Sequence, residues 1–295
     1  FVGLVRMTAP YLGTVYRPNG PVSTSAALMD FENRRLCVVP GGHNDAWGNI
    51  YNDEGISFYQ NSYWEVIKKS TVPAIDTLID INFCKIDPAD NTHVWLGSWG
   101  KGLVEVRNNA VVNVINQYNS ILESKVEYPW CGIGGIDYDK DGNLWMVNSH
   151  TMKCLKVRKA DNSWAEFDFQ GLIVTGTTVG NMMITENGQK WIILPGNGGG
   201  FIVFDDNGTI DNTADDKKKK VGFSAGIGAL PGTEALCMVE DKDNEVWVGT
   251  DKGIAVFYCA ETIFSTAGCD AQQILIQQGE YTQILMESQV VTSIA

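Results

Sequence analysis

The chain has 295 residues, of which 44 per cent are hydrophobic and 19 per cent charged, so it is typical of a soluble protein with one large or two small domains and not of a disordered polyelectrolyte. It carries 22 Lys and Arg against 35 Asp and Glu, a net charge of −13, which argues against nucleic acid as a partner because phosphates attract cations. Every apolar run is shorter than the roughly 18 residues that a membrane helix needs, so the sequence predicts no membrane insertion.

The first predicted element is a glycine-led strand at residues 1–7, which resembles the third strand of a repeating unit whose start is missing. Five longer units follow it, each combining short apolar runs with polar turns. We place these units approximately at residues 26–70, 78–118, 131–171, 180–225 and 234–280. The last predicted element, at residues 290–295, resembles the first strand of a further unit.

One position recurs along the chain and sets the period of the repeat. Trp95, Trp145, Trp191 and Trp247 follow one another at intervals of 50, 46 and 56 residues, and Cys37 occupies the same slot 58 residues before the first of them. A polar turn precedes each of these strands, as in the Asp-Lys-Asp-Gly-Asn sequence before Trp145. Alternating apolar residues joined by Asn-Gly and Asp-Gly turns indicate antiparallel hairpins.

The remaining strands of each unit predict the fold. Most units continue with a glycine-led third strand and a fourth strand, as at residues 102–105 and 111–115. Four antiparallel strands in about fifty residues are typical of a propeller blade, which buries its two faces by packing on neighbouring blades. The sequence therefore predicts an all-β fold, a single β-propeller domain over residues 1–295, with the recurring tryptophan between adjacent blades. We expect a sixth blade formed in part by the two chain ends or, alternatively, a piece of a longer chain whose other blades are absent.

The seven cysteines do not suggest a metal site. No Cys-x-x-Cys motif occurs, and none of the three histidines lies near a pair of cysteines, so a structural zinc site is not expected. Five cysteines lie in apolar runs, where free Cys behaves as a small buried hydrophobe. They are Cys37, Cys84, Cys131, Cys154 and Cys237. Cys259 and Cys269 could bridge a local loop, although we do not favour that pairing.

An acidic segment in the third unit resembles the start of a calcium loop. Asp137, Asp139 and Asp141 alternate as calcium ligands do, with Gly142 at the turn, but Asn148 stands at the position where such a loop needs a bidentate acid. Asp, Asn and Gly are also the residues that hairpin turns select. We therefore favour a turn over a calcium site, and we expect no cofactor.

A second acidic segment at residues 205–216 is expected to form a loop extending past a strand, with only a weak capacity to hold a cation. The four lysines at 217–220 follow it directly. We interpret them as a solvated loop in which charges of opposite sign partly neutralise each other. A docking site for an anionic group is the alternative, which the overall negative charge does not support.

Candidate ligand-binding residues come from the loops on one face of the predicted propeller. Loops that join the second and third strands, and those that connect blades, vary in length, and such loops commonly carry function. They contain His43, Trp47, Trp99, Trp130 and His150. These rings could stack on a sugar or hold a protein partner, or each could simply pack against its own loop. No hydrolase, metalloprotease or phosphate-binding motif accompanies them.

The acidic turn followed by Trp-Val-Gly-Thr and Gly-Ile resembles the two-component-regulator propeller repeat, most closely at residues 241–254 and more loosely at 91–104 and 139–147. Three further stretches resemble the propeller of PorZ-type components of the type IX secretion system and their Bacteroidota relatives. They are residues 141–148, 205–216 and 290–295.

The resemblance implies a non-enzymatic protein of the periplasm or outer-membrane surface that handles a protein partner or a surface polysaccharide. We therefore expect a binding or scaffold propeller tied to type IX secretion or to cell-surface attachment. Two alternatives stay open. One is the oligosaccharide-sensing ectodomain of a hybrid two-component system, whose parent chain would need a membrane span and a kinase. The other is a propeller hydrolase or lyase, which would need acids or histidines clustered at the channel mouth.

Overall fold

The computed structural model describes residues 4–16, 18–68, 79–125, 129–196, 198–265 and 268–294, and these residues form antiparallel sheets. Within these ranges the helical content is one short 3-10 helix, Ala260–Thr262. No helix among the described residues has the length and apolar character needed to cross a membrane. The predicted all-β class is confirmed, whereas the extent of a single domain over residues 1–295 stays a prediction.

The strands, numbered in chain order, group into five successive antiparallel units, called blades one to five, and the second and third of these are joined into one eight-stranded sheet where residues 99–100 pair with residues 131–132. Blade one contains β3 (Leu28–Glu32), β4 (Arg35–Val39), β5 (Ile56–Gln60) and β6 (Tyr63–Ile67). Blade two contains β7 (Ile81–Ile86), β8 (His93–Gly100), β9 (Gly102–Arg107) and β10 (Ala110–Ile115). Blade three contains β11 (Cys131–Tyr138), β12 (Leu144–Asn148), β13 (Leu155–Arg158) and β14 (Trp164–Phe167). Blade four contains β15 (Met182–Ile184), β16 (Lys190–Ile193), β17 (Phe201–Asp205) and β18 (Lys217–Val221). Blade five contains β19 (Ala235–Glu240), β20 (Val246–Thr250) and β21 (Gly253–Phe257).

Two hairpins lie outside these blades. They are β1 (Leu4–Ala9) with β2 (Leu12–Tyr16), and β22 (Leu275–Gln278) with β23 (Tyr281–Ile284).

The tight turns within the blades follow from local residue chemistry. Asn61 and Ser62 join β5 to β6, Asn108 and Asn109 join β9 to β10, and all four have φ between 50° and 62°. Two consecutive residues in the left-handed region are characteristic of a type I′ turn, whose twist matches that of the flanking strands. Asparagine tolerates this conformation better than most residues, so these sequences fix the registers of the outer hairpins.

The blades pack through apolar clusters between consecutive sheets. The first strands of blades one to four, β3, β7, β11 and β15, lie side by side, and β19 packs against β16. Cys37 lies in a cluster with blade two, Trp95 with blade three, Trp145 with blade four and Trp191 with blade five. All four are 0% exposed. The predicted place of the recurring residue, between adjacent blades, is therefore confirmed for these copies.

The structure does not join the two chain ends, contrary to the expectation of a shared sixth blade. β1 pairs with β2, and residues 290–294 form no strand, while Gly3 and Ala295 lie outside the described residues. Instead, the N–H of Val291 donates to the carbonyl of Thr250 at 3.0 Å, so this segment lies against blade five. Pairing across a tight turn closes a much shorter loop than pairing the chain ends, which favours the β1–β2 hairpin.

The lysines at 217–220 form strand β18 and not the expected solvated loop. They pair with β17, which places alternate side chains over different neighbours. The ammonium group of Lys218 lies 5.3 Å from the centre of the Phe169 ring, and Lys219 donates to the carbonyl of Ile263 at 2.8 Å. Partners of this kind stabilise a lysine-rich edge strand. The acidic residues before it form the expected turn-rich loop after β17.

A disulfide joins Cys259 and Cys269, the pairing that the sequence analysis did not favour, with their Cα atoms 5.8 Å apart. The other cysteines are free thiols, as predicted, and all of them except Cys237 are fully buried. The bridge closes the loop after β21, where a fourth strand would be expected. That place holds a single β-bridge between Val256 and Gln272.

Candidate functional site

Loops from several blades meet on one face of the propeller, where the first strand of each blade begins. This surface, the loop face, contains the connections between second and third strands and those leading into the next blade. All five aromatic candidates lie there in one continuous cluster. His43 stacks on Trp47 with ring centres 4.0 Å apart, and Trp47 meets Trp99 at 5.2 Å. Trp130 lies 4.9 Å from Trp99 and 5.0 Å from His150.

Two of these tryptophans are structural. Trp99 is 0% and Trp130 is 9% exposed, so neither offers a full ring face to a ligand. The indole of Trp99 donates to the carbonyl of Trp47 and that of Trp130 to the side-chain oxygen of Asn49, both at 2.8 Å. Asn49 in turn donates to the buried carboxylate of Asp80 at 2.7 Å. Satisfied donors of this kind hold the cluster in one arrangement.

Trp47 crosses from blade one to the start of blade four. A Cβ added to Gly180, which precedes β15, would lie 3.1 Å from the Trp47 ring and 2.9 Å from Pro195. The absence of a side chain at Gly180 therefore lets the indole approach the backbone of a distant blade. Trp47 has a φ of 60°, a conformation that a bulky residue rarely adopts and that often marks functional positions.

The cluster lines a cavity of about 670 Å³ on the loop face. Blade one contributes residues 46–49 to its lining, and the connection between blades two and three contributes Lys125 and Trp130. Blade three contributes His150, and the connection between blades three and four contributes three residues. Those three are Thr175, Gly176 and Thr178. The lining combines half-buried ring faces with amide, hydroxyl and ammonium groups, which suits recognition of a ligand with both apolar and polar groups.

His150 brings an uncommitted polar atom to this cavity. Its Nδ1 is buried and has no hydrogen-bond partner among the described residues. Burial lowers the pKa of His150, the positive charge of Lys125 lowers it further, and a backbone contact with Gly176 opposes the shift. The imidazole is therefore neutral at neutral pH and able to donate through one nitrogen and accept through the other.

The acidic residues of blade three do not fit a calcium ion. Asp137 pairs with Lys85 at 2.8 Å and accepts the N–H of Ile184 at 2.9 Å. The carboxylate of Asp139 accepts hydrogen bonds from Asp141, Asn143 and Trp145, as a turn-forming residue does. Asn148, at the twelfth position, binds the backbone of residue 123. No group of three or more His, Cys, Asp or Glu could hold a metal in the part of the chain that the structure describes.

The sequence indicated the rings of this site but missed the residues around them. Asn49, Lys125, Thr175 and Gly180 lie in irregular loops and follow no repeat. Gly180 was detectable only as a glycine before a strand. The glycine is needed there to make room for the ring of Trp47, which lies 133 residues earlier in the chain, and no local sequence pattern reveals that contact.

Comparison with known proteins identifies the repeat and the fold. Residues 229–252 match the family described as two component regulator propeller. None of the curated proteins matches the chain. The chain is similar to the structure of PorZ, an essential surface component of the type IX secretion system of Porphyromonas gingivalis, with a TM-score of 0.84 and 22% identity. The similarity covers 95% of this chain and 39% of that one, so the chain spans about two fifths of the PorZ structure.

Two further solved structures are similar at lower levels. The extracellular domain of the hybrid two component system BT3049 from B. thetaiotaomicron has a TM-score of 0.47 and 16% identity, over 80% of this chain and 33% of that one. Virginiamycin B lyase from Staphylococcus aureus has a TM-score of 0.52 and 11% identity, over 79% of this chain and 66% of that one. The chain is thus a β-propeller that contains a two-component-regulator repeat and shares its fold with the matched part of the PorZ structure.

Proposed function

We propose that this propeller is a non-enzymatic binding or scaffold module of an extracytoplasmic assembly, tied to type IX protein secretion or cell-surface attachment. It recognises a protein or glycan partner through the loop face. One observation carries the proposal: segments separated by more than a hundred residues converge on one aromatic-lined cavity. The match to a surface component of a secretion system supports the extracytoplasmic location.

The test is a binding screen of the purified chain against a glycan array and a displayed peptide library, with calcium and with EDTA. Trp47→Ala removes the half-buried ring that closes the cavity, and we expect it to weaken binding by roughly tenfold or more. The matched control is Trp64→Ala, which removes a half-buried tryptophan from the outer strand β6 of blade one. Binding by Trp47→Ala that equals the wild type would overturn the proposal.

A second variant guards against misfolding of the first. Thr175 is exposed and lines the cavity, so Thr175→Trp places a bulky ring at the cavity without removing any packed group. It is expected to fold normally and to bind at least tenfold more weakly, by roughly 1.4 kcal/mol.

Mass spectrometry of the same incubations tests the non-enzymatic part of the proposal, because chemical turnover of a bound glycan or peptide would contradict it.

The repeat at 229–252 favours a second candidate, the oligosaccharide-sensing ectodomain of a hybrid two-component system. The gene that encodes the chain separates the two candidates directly. A membrane span and a kinase encoded downstream would establish the sensor, and a secretion-type sorting domain would establish the first proposal.

A further inference from the structure

A second cavity adjoins the aromatic one on the loop face. It has a volume of about 640 Å³ and lies between blades three and four. Thr175 lines both cavities, with Gly176 and Thr178 on the aromatic side and Val174 and Thr177 on the other. The loop before blade four therefore forms a low saddle between two halves of one groove.

The two halves differ in chemistry. The second half is lined mainly by aliphatic groups, including Met152, Leu172, Val174 and Pro195. Val174 is 73% exposed although it is a large apolar residue. Sugar hydroxyls over such a lining would lose hydrogen bonds to water without replacement, whereas aliphatic side chains would be favourably buried there.

The charges of the groove are also distinctive. Among the described residues, neither half is lined by a carboxylate, and each half has one lysine, Lys125 and Lys220. The chain as a whole has 35 acidic residues and a net charge of −13. On the opposite face, where the hairpin turns lie, a cavity of about 580 Å³ is lined by seven acidic residues and two lysines. The groove is therefore complementary to an anionic ligand, and the opposite face repels one.

We infer that the occupant of the groove is an extended, acidic polypeptide segment that places an aromatic or large apolar side chain against Trp47 and an aliphatic side chain beside Val174. The inference rests on the proposed function and narrows its partner to a polypeptide. Carboxylates of the segment pair with the ammonium groups of Lys125 and Lys220. The backbone of the bound segment crosses the saddle at Thr175, where the hydroxyl groups of the neighbouring threonines are available for hydrogen bonds.

The test uses a phage library of random peptides of about ten residues, which span roughly 33 Å when extended. Selection on the wild-type chain is expected to enrich peptides that have net negative charge and two apolar positions. Fluorescence anisotropy then gives Kd for the most enriched peptide. We expect Trp47→Ala and Val174→Asp each to weaken it roughly tenfold, and Lys220→Glu to weaken it about threefold to tenfold with a reduced salt dependence.

Matched controls lie outside the groove. Val112→Asp changes an exposed valine on the outer strand β10, and Lys140→Glu reverses the charge of an exposed lysine on the opposite face. Both are expected to bind within twofold of the wild type. Loss of affinity in Val174→Asp is informative by itself, because that side chain is exposed and its replacement leaves the core intact.

Other outcomes overturn the inference in distinguishable ways. If a glycan binds in a Trp47-dependent manner and no peptide is enriched, the polypeptide assignment is wrong while the proposed function stands. If a peptide binds but Val174→Asp leaves its Kd unchanged, the ligand does not cross the saddle and the two-part groove is wrong. If no ligand depends on Trp47, both the inference and the proposed function fail.

Discussion

In blades three, four and five the recurring tryptophan is fixed by a polar group from the turn of its own blade, whereas the indole of Trp95 in blade two donates to the hydroxyl of Tyr138 in blade three at 2.8 Å. The indole of Trp145 donates to Asp139 at 2.8 Å, and that of Trp247 donates to Asp241 at 2.7 Å. In blade four, Trp191 donates to the side chain of Gln189 at 3.1 Å. In blades three and five the acid therefore orders its turn and also satisfies the one polar atom of the indole, which explains why an acidic turn and a tryptophan occur together there.

Asp139→Ala is expected to lower the free energy of unfolding by roughly 1–3 kcal/mol, because it leaves the indole N–H and two backbone N–H groups of the turn without partners. Urea unfolding followed by fluorescence measures the change. Asp141→Ala, an exposed substitution in the same turn, should change stability by less than about 0.5 kcal/mol. Equal effects from the two substitutions would refute the role of Asp139 as the acceptor that holds the turn and the indole. Added calcium should stabilise neither the variants nor the wild type.

An ion network around a buried lysine of blade three predicts a dependence of stability on pH. Lys156 is fully buried and donates to Glu123 and Glu166, each at 2.8 Å. Burial raises the pKa of Glu166, but hydrogen bonds from Lys153 and Lys156 and their charges outweigh burial, so the pKa lies below its ordinary value of 4.5. A depressed folded-state pKa means that this stabilisation is present above the unfolded-state pKa and is lost as the pH falls through the folded-state value.

Glu166→Gln is therefore expected to be less stable than the wild type at pH 7, by roughly 1–2 kcal/mol. The difference should shrink below about pH 4.5, where the wild type loses the same interaction. Urea unfolding between pH 3 and 7 measures both chains, and Glu280→Gln in the exposed β22–β23 turn is the control. A stability difference that stays constant over this range would show that the Glu166 carboxylate is not selectively stabilised.

Blade five differs from the others because a cross-linked loop takes the place of its fourth strand. The loop after β21 contains a 3-10 helix and the Cys259–Cys269 disulfide, and its residue Gln272 forms a β-bridge with Val256 at the edge of β21. Covering an edge in this way hides backbone groups that would otherwise pair with another chain.

The double substitution of Cys259→Ser with Cys269→Ser is expected to lower the free energy of unfolding by about 2–3 kcal/mol, the chain-entropy estimate for a loop of this length. Chemical unfolding under non-reducing conditions measures the loss, and peptide mapping should find this single bridge in the wild type. Cys154→Ser is the control for mapping, since Cys154 is a free thiol. Stability unaffected by the double substitution would show that the bridge does not hold the edge.

Repeated elements were predictable, and irregular ones were not. Spacing of Trp95, Trp145 and Trp191 gave the blades, because each residue packs against the next sheet in the same way. The strand at 217–220 was missed because lysine rarely forms strands without the aromatic and carbonyl partners that the fold supplies. Lys190 directly precedes Trp191, where the other recurring tryptophans have Val or Leu, for a similar reason: its ammonium group lies 3.9 Å from the Trp145 ring centre and pairs with buried Asp206.

The whole molecule separates two chemical faces. On one face, the hairpin turns surround a cavity lined by acidic groups. On the loop face, the aromatic cavity and the aliphatic cavity have no carboxylate in their lining among the described residues. Trp47 connects blade one to the entry of blade four, so the site exists only when the blades are assembled. The sequence could indicate which rings share a face, but their convergence depends on the packing of all the blades between them.

The most direct test of recognition through the loop face is an NMR spectrum of the indole N–H groups, recorded with and without a saturating concentration of the best ligand from the binding screen. Signals are assigned by substituting single tryptophans. We predict that binding shifts the signals of Trp47, Trp99 and Trp130 and leaves that of Trp247, whose indole binds the turn of blade five, unchanged. A shift of Trp247 with Trp47 and Trp130 unchanged would place the ligand on the opposite face and contradict the account.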